Sequence, residues 1–224
     1  MAIARYKDLC MDAADPTRLG TFWAAALGLE LHTQDNGDTY LTGPTKQHTI
    51  WVNGVPEPKT VKHRMHLDVN VASVDELVVL GATVVDADSF RWTLMADPEG
   101  GEFCAFVRDG EIERRLYEIG ADTGDSAEHA HRIAAWWAQV LGGRAGDEEG
   151  FSWVDQIPGA PFESIDFAPV PEPKVAKNRL HLDVIGKVED LVAAGATVLR
   201  AQDDEIGWTV MADPDGNEFC AFAP

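Results

Sequence analysis

The apolar residues of this chain follow two periods. Over 15–30, Leu19, Phe22, Trp23, Ala26 and Leu27 recur at i, i+3, i+4, i+7 and i+8, the stripe of a helix that buries one face. Asp15 suits the N-cap of that helix, Pro16 its first position and Gly28 its exit. Ile133, Trp136, Trp137, Val140 and Leu141 repeat the stripe in the second half, with Ser126 ahead and Gly142 behind. Tryptophans at helical spacing on one face belong to a core rather than to a cofactor. Elsewhere the period is two. "RYKDLCMDA", "DTYLTG", "HTIWVNG", "RMHLDVNV", "ATVVDA", "FRWTLMA" and "EFCAFV" predict strands. "SVDELVVLG" predicts a short helix, with Ser73 and Glu76 spaced as a capping box. "DPEG" has the proline and glycine of a type I turn.

Successive strand side chains take opposite faces. Met65, Leu67 and Val69 therefore share the face that packs on a helix, and His66 and Asp68 share the other. In a second copy Leu180, Leu182 and Val184 oppose His181 and Asp183. Phe103 and Ala105 oppose Glu102, Cys104 and Phe106; Phe219 and Ala221 oppose Glu218, Cys220 and Phe222. A sheet with helices outside and this mixed face inside predicts a concave small-molecule cup.

The copies reflect a duplication. "VPEPK" occurs at 55–59 and 170–174, "HLDV" at 66–69 and 181–184, and 92–106 returns as 208–222. The halves are 1–110 and 112–224, joined by the polar "RDGEIERR". Each half reads as two units of strand, helix and strands, which makes the fold class α+β and predicts one cup floor per half.

The formal net charge of −20 argues against nucleic-acid and anionic-membrane partners. No apolar run reaches the roughly 18–20 residues of a membrane span. The charged start is not a signal peptide, so a cytoplasmic protein is expected. The three cysteines lack CxxC spacing, and a shared repeat position explains Cys104 and Cys220 better than a disulfide does. Six of the eighteen bases, Lys59, Lys62, Arg64, Lys174, Lys177 and Arg179, follow the two "VPEP" segments. They could meet an anionic small molecule, although the plainer reading of each is a solvated loop charge. No serine-nucleophile, phosphate-loop or dinucleotide motif is present.

Residues 15–28, 55–68 and 92–104, with second copies at 170–183 and 208–220, resemble the motifs of the glyoxalase-like group of the vicinal oxygen chelate superfamily. That superfamily includes glyoxalase I, bleomycin-resistance proteins and extradiol dioxygenases. The resemblance implies paired βαβββ modules forming U-shaped mixed sheets around a cleft. In metal-dependent members, His and Glu side chains from four strands hold a divalent ion. Carried over by position, the ligand histidine falls on His66 and His181, and the final glutamate on Cys104 and Cys220. The family gap reaches His48 in the first copy and Glu163 in the second; the first-strand ligand falls near Tyr6, and near Tyr117 or Glu118. Glu102 and Glu218 could stand in for the missing glutamates. The metal candidates are therefore His48, His66 and Glu102, and Glu163, His181 and Glu218.

One secure imidazole with a thiol and a phenol is a poor catalytic donor set. A metal-free binding protein is therefore the preferred expectation, as a monomer or homodimer. Its ligand-binding candidates are His66, Asp68, Trp92, Cys104 and Phe106, and His181, Asp183, Trp208, Cys220 and Phe222, with Trp51 as a further wall. The alternative is a metal-dependent lyase, isomerase or dioxygenase, with Asp68 or Asp183 as general base and a divalent metal as its cofactor.

Overall fold

A computed structural model describes residues 2–224 as four βαβββ modules. The first contains β1 (Ala4–Ala13), α1 (Pro16–Leu27), β2 (Glu30–Thr33), β3 (Thr39–Thr42) and β4 (Ile50–Gly54). The second contains β5 (Met65–Val71), α2 (Val74–Leu80), β6 (Thr83–Asp86), β7 (Thr93–Ala96) and β8 (Glu102–Val107). The third contains β9 (Leu116–Thr123), α3 (Ala127–Leu141), β10 (Arg144–Glu148), β11 (Phe151–Asp155) and β12 (Ser164–Pro169). The fourth contains β13 (Leu180–Gly186), α4 (Val188–Ala193), β14 (Thr197–Arg200), β15 (Thr209–Ala212) and β16 (Glu218–Phe222). No described helix is long and apolar enough to cross a membrane.

The modules pair across the duplication. Sheet I has the order β14-β15-β16-β13-β1-β4-β3-β2 and joins the first and fourth modules. Sheet II has the order β10-β11-β12-β9-β5-β8-β7-β6 and joins the second and third. The expectation of one cup floor per half is thereby corrected. Each concave face takes one module from each half, because β1 pairs antiparallel with β13 and β5 with β9. Side-chain alternation is local and reads faces correctly; which modules pair is a long-range choice that alternation does not encode.

The two central registers correspond. Cys10 lies opposite His181 and Asp8 opposite Asp183 in sheet I; Gly120 lies opposite His66 and Glu118 opposite Asp68 in sheet II. The register shifts at Lys7 in one pair and at Tyr117 in the other, which makes these two residues equivalent. Trp51 neighbours Cys10 on β4, as Asp166 neighbours Gly120 on β12.

The long helices sit between the sheets. Trp23 of α1 meets Phe103 of sheet II edge-on at 5.1 Å, and Trp137 of α3 meets Phe219 of sheet I at 5.4 Å. Each helix thus packs on the strands of its own module and reaches the other sheet through its aromatic side chains. The helical tryptophans are core residues, as their spacing predicts. Asp15 and Ser126 accept the cap hydrogen bonds from the Arg18 and His129 amides. Ser73 occupies the N-cap of α2, but its side chain makes no cap bond. Glu76 accepts from the Ala72 amide, one residue ahead of the N-cap, and faces Arg115, so the expected capping box does not form.

The "VPEPK" segments are the two crossings between the sheets, 55–64 and 170–179. Arg64 Nη1 donates to the Glu172 carbonyl at 2.7 Å, and Arg179 Nη1 to the Glu57 carbonyl at 2.7 Å, so each crossing holds the other. Lys59 pairs with Glu102, Lys62 with Asp122, Lys174 with Glu218 and Lys177 with Asp12. The solvated-charge reading gives way to partly buried ion pairs at Lys59 and Lys174, whereas Lys62 and Lys177 stay solvated while pairing with buried carboxylates.

Candidate functional site

The concave face of sheet I encloses a cavity of about 560 Å³, bordered by Cys10, Trp51, His181, Asp183, Trp208 and Phe222 among others. His181 Nε2 lies 3.3 Å from Asp183 Oδ1 and 3.4 Å from Cys220 Sγ. Asn53 donates to Cys10 Sγ at 3.1 Å. Lys7 Nζ lies 2.7 Å from Asp8 Oδ2 and 3.6 Å from Asp183 Oδ2, and stands 4.1 Å from the centre of the Phe222 ring. The indole of Trp51 also donates to Asp8 Oδ2, at 3.2 Å. Burial pushes Asp8 up to about 6 and Asp183 adds to this, while Lys7 and Trp51 oppose it. Burial works against a proton on His181, but Cys10, Asp183 and Cys220 outweigh it and hold its pKa well above the usual value. The buried Tyr6 hydroxyl, Asp8 Oδ1, His181 Nδ1 and Asp183 Oδ1 have no hydrogen-bond partner.

The equivalent face of sheet II is acidic. His66 Nε2 lies 3.3 Å from Asp68 Oδ1, beside the Cys104 thiol. Gly120 makes room for the ring, since a Cβ at 120 would collide with it. Ser164 Oγ lies 2.5 Å from Asp166 Oδ1 and 3.0 Å from Glu118 Oε1. One hydroxyl proton cannot serve both carboxyls. Burial, followed by Asp166 and Asp68, pushes Glu118 up to about 7. Burial, followed by Asp68 and Glu163, pushes Asp166 up to about 6 against the opposing hydrogen bond from Ser164. Trp92, Phe106 and Tyr117 form an aromatic wall with centroid spacings of 5.5 and 5.3 Å, and Arg108 lies over Tyr117 at 4.6 Å.

The sequence-derived candidates divide between the two faces. His66, Asp68 and Cys104 come together, as do His181, Asp183 and Cys220, with donor atoms of each trio within 4.8 Å of one another. Trp208 and Phe222 line the first cavity. The remaining metal candidates lie elsewhere. His48 sits in a single 3-10 turn and bonds Thr45; its module lies in sheet I, whereas His66 lies in sheet II. Glu163 is exposed, 3.6 Å from Arg114, beside sheet II, whereas His181 lies in sheet I. Glu102 and Glu218 turn to the crossings, where they bond Lys59 with the His63 amide and Lys174 with the Asn178 amide; Glu218 still borders the first cavity. The donor sets counted within one half therefore do not assemble, because the modules of one half go to different sheets. Lys7, Asp8, Cys10 and Asp166 escape a reading of the sequence alone. A signal for Asp166 exists: in "SIDFAP" it shares a face with Ser164, opposite Ile165 and Phe167.

The two faces fit a divalent cation differently. In sheet I the Lys7 ammonium already sits between the carboxylates, and the Asn53 amide points a donor at Cys10. In sheet II the position of Lys7 holds Tyr117 and that of Trp51 holds Asp166. There His66, Asp68 and Cys104 form the close donor group, with Glu118 and Asp166 on neighbouring strands, and among the described residues no lysine pairs with any of them. An imidazole, a carboxylate and a thiol suit a borderline divalent ion.

A family model described as a glyoxalase-like domain matches residues 8–106 and again 118–222. The chain belongs to the glyoxalase-like domain family. This glyoxalase-like protein is similar in fold to glyoxalase I from Zea mays, at 12% identity and a TM-score of 0.68, covering 97% of this chain and 92% of that one. It is also similar to a putative dioxygenase from Bacillus subtilis, at 14% identity and a TM-score of 0.66, covering 99% and 86%. The third similar fold is the cppA protein of Streptococcus pneumoniae, at 11% identity, a TM-score of 0.51 and coverage of 100% and 99%. No curated protein matches the sequence. The tandem family match and these neighbours establish the vicinal oxygen chelate fold, with its mixed sheets.

Proposed function

We propose that this glyoxalase-like protein binds a small flat molecule in the cleft of sheet I, without a metal ion. The observation that carries the reading is Lys7, whose ammonium holds Asp8 and Asp183 where a cation would otherwise sit. The cavity of about 560 Å³ is within the ordinary range for a small-molecule site. Trp51, Trp208 and Phe222 offer ring faces for stacking. The unpartnered oxygens of Asp8 and Asp183 favour a ring that carries N–H or O–H donors. Calorimetry with 2-aminobenzimidazole tests this, because the compound is flat and donor-bearing. Binding should weaken at least tenfold in Asp183→Asn; equal binding by the variant contradicts the reading.

A second reading is favoured by the close group of His66, Asp68 and Cys104, which has no lysine in the place that Lys7 takes in sheet I. It is a divalent-cation centre in sheet II serving a lyase, isomerase or dioxygenase. An ion held there would polarise adjacent substrate oxygens as a Lewis acid. His66, Asp68 and Cys104 would hold the ion, and the Glu118–Asp166 pair would hold the exchangeable proton. Elemental analysis after loading with Mn²⁺ or Zn²⁺ and dialysis should find one ion per chain, lost in Asp68→Asn. No retained metal removes this second reading and leaves the first intact.

A further inference from the structure

We propose that the chamber between the two crossings is a second binding site, for a singly charged anion with an apolar body such as a medium-chain carboxylate, and that Arg64 supplies the charge it meets. The chamber has a volume of about 610 Å³. It adjoins the sheet I cleft only through Asp12, Val55 and Lys177, and its walls are the two "PEPK" segments.

Charge is the first argument. On a chain of net charge −20, five of the eighteen bases line this chamber, Lys59, Lys62, Arg64, Lys177 and Arg179, against the four acids Asp12, Glu57, Asp122 and Glu172. Each of the three lysines has one carboxylate partner at 2.7–2.9 Å. Among the described residues Arg64 has none. Its guanidinium donates to the carbonyls of Glu172, Asp122 and Thr123 at 2.7, 3.2 and 2.8 Å, and its Nε is buried without a partner. Carbonyls orient a guanidinium but leave its full charge uncompensated, and a partly buried charge without a counter-ion is unfavourable. Its counterpart Arg179 also bonds a carbonyl, that of Glu57, but it has Glu99 at 3.7 Å. Burial lowers His63 to about 4, so that ring is neutral at physiological pH and adds no rival cation.

The walls give the rest of the ligand. Val55, Pro58, Val61, Pro173, Val175 and Ala176 line the chamber between the charged groups. Val61 is 41% exposed and Val175 74% exposed, so apolar surface stands open at this site. A phosphate would leave that surface wet, and a polyanion would be repelled by the chain as a whole. A single carboxylate with an alkyl tail satisfies both the arginine and the valines.

Calorimetric titration with octanoate, paired with the isosteric neutral octanamide, tests the proposal. Octanoate should bind at least tenfold more tightly than octanamide. Arg64→Gln should remove that difference, and Arg64→Lys should restore part of it. Arg64 also clasps the crossings, so shift mapping on the unaltered protein guards against a variant that fails to fold. Octanoate should move the amide signals of Val61, Lys62, Arg64, Val175 and Lys177. Equal affinity for acid and amide, no octanoate binding, or shifts confined to Trp51, Trp208 and Cys220 would overturn the assignment.

Discussion

Replacing Asp166 by asparagine should stabilise this protein in mild alkali and leave it unchanged in acid. In the native state Asp166 is half-buried near Asp68 and Glu163, and its carboxyl is pushed from 3.8 up to about 6. A tenfold change in acid strength corresponds to about 1.4 kcal/mol between the two protonation states. The rise at Asp166 therefore sets an upper bound of about 3 kcal/mol. Asp166 and Glu118 meet through Ser164 and titrate as a pair, which reduces the part that belongs to Asp166 alone to about 1–2 kcal/mol. The sign follows from linkage. The folded chain holds a proton that the unfolded chain releases, so stability falls as pH rises from about 4 to 6 and is then level. Asparagine keeps the acceptor for Ser164 without the charge. At pH 8 the variant should gain about 1–2 kcal/mol in urea unfolding followed by circular dichroism, equivalent to about 2–8 °C in Tm for a chain of this size. Near pH 4 the two curves should coincide. A variant equally destabilised at both pH values would show that the carboxylate group is satisfied, and the reasoning would fail.

Gly120→Ala should cost about 1–3 kcal/mol by forcing the His66 ring from its place, whereas Cys10, at the equivalent position, accommodates a side chain; chemical denaturation of the variant checks this. Phe103→Ala should lose about 3–5 kcal/mol in the same assay, since the ring is fully buried against Trp23 and Phe22. Burial raises the pKa values of Cys104 and Cys220, so these thiols should resist Ellman's reagent at pH 7.5 in the native protein; in urea all three cysteines should react at once. Rapid native labelling of two thiols would contradict the burial.

The parts of the fold carried by local signals are legible in the sequence. The helical stripes at Leu19–Leu27 and Ile133–Leu141, the caps at Asp15 and Ser126, and the inward face of His66 and Asp68 each depend on a few neighbouring residues. β2 is not legible, because a four-residue edge strand with Leu31 its only aliphatic side chain carries too little alternation. Nor is the pairing of the first module with the fourth, since both choices satisfy the same alternation. That one choice decides the site. It puts Cys10 and Lys7 beside His181, puts Asp166 and Glu118 beside Asp68, and separates His48 from His66 and Glu163 from His181. The crossings mislead for the opposite reason: their lysines look solvated locally, and their carboxylate partners lie far along the chain.

The most direct test of the two-cleft account is tryptophan fluorescence during titration with 2-aminobenzimidazole, in Trp208→Phe and Trp92→Phe variants. Trp208 borders the sheet I cleft and Trp92 occupies the equivalent place in sheet II. Saturable quenching should be largely lost in Trp208→Phe and retained in Trp92→Phe. Quenching that survives in Trp208→Phe and disappears in Trp92→Phe would place the ligand in the acidic cleft and contradict the account.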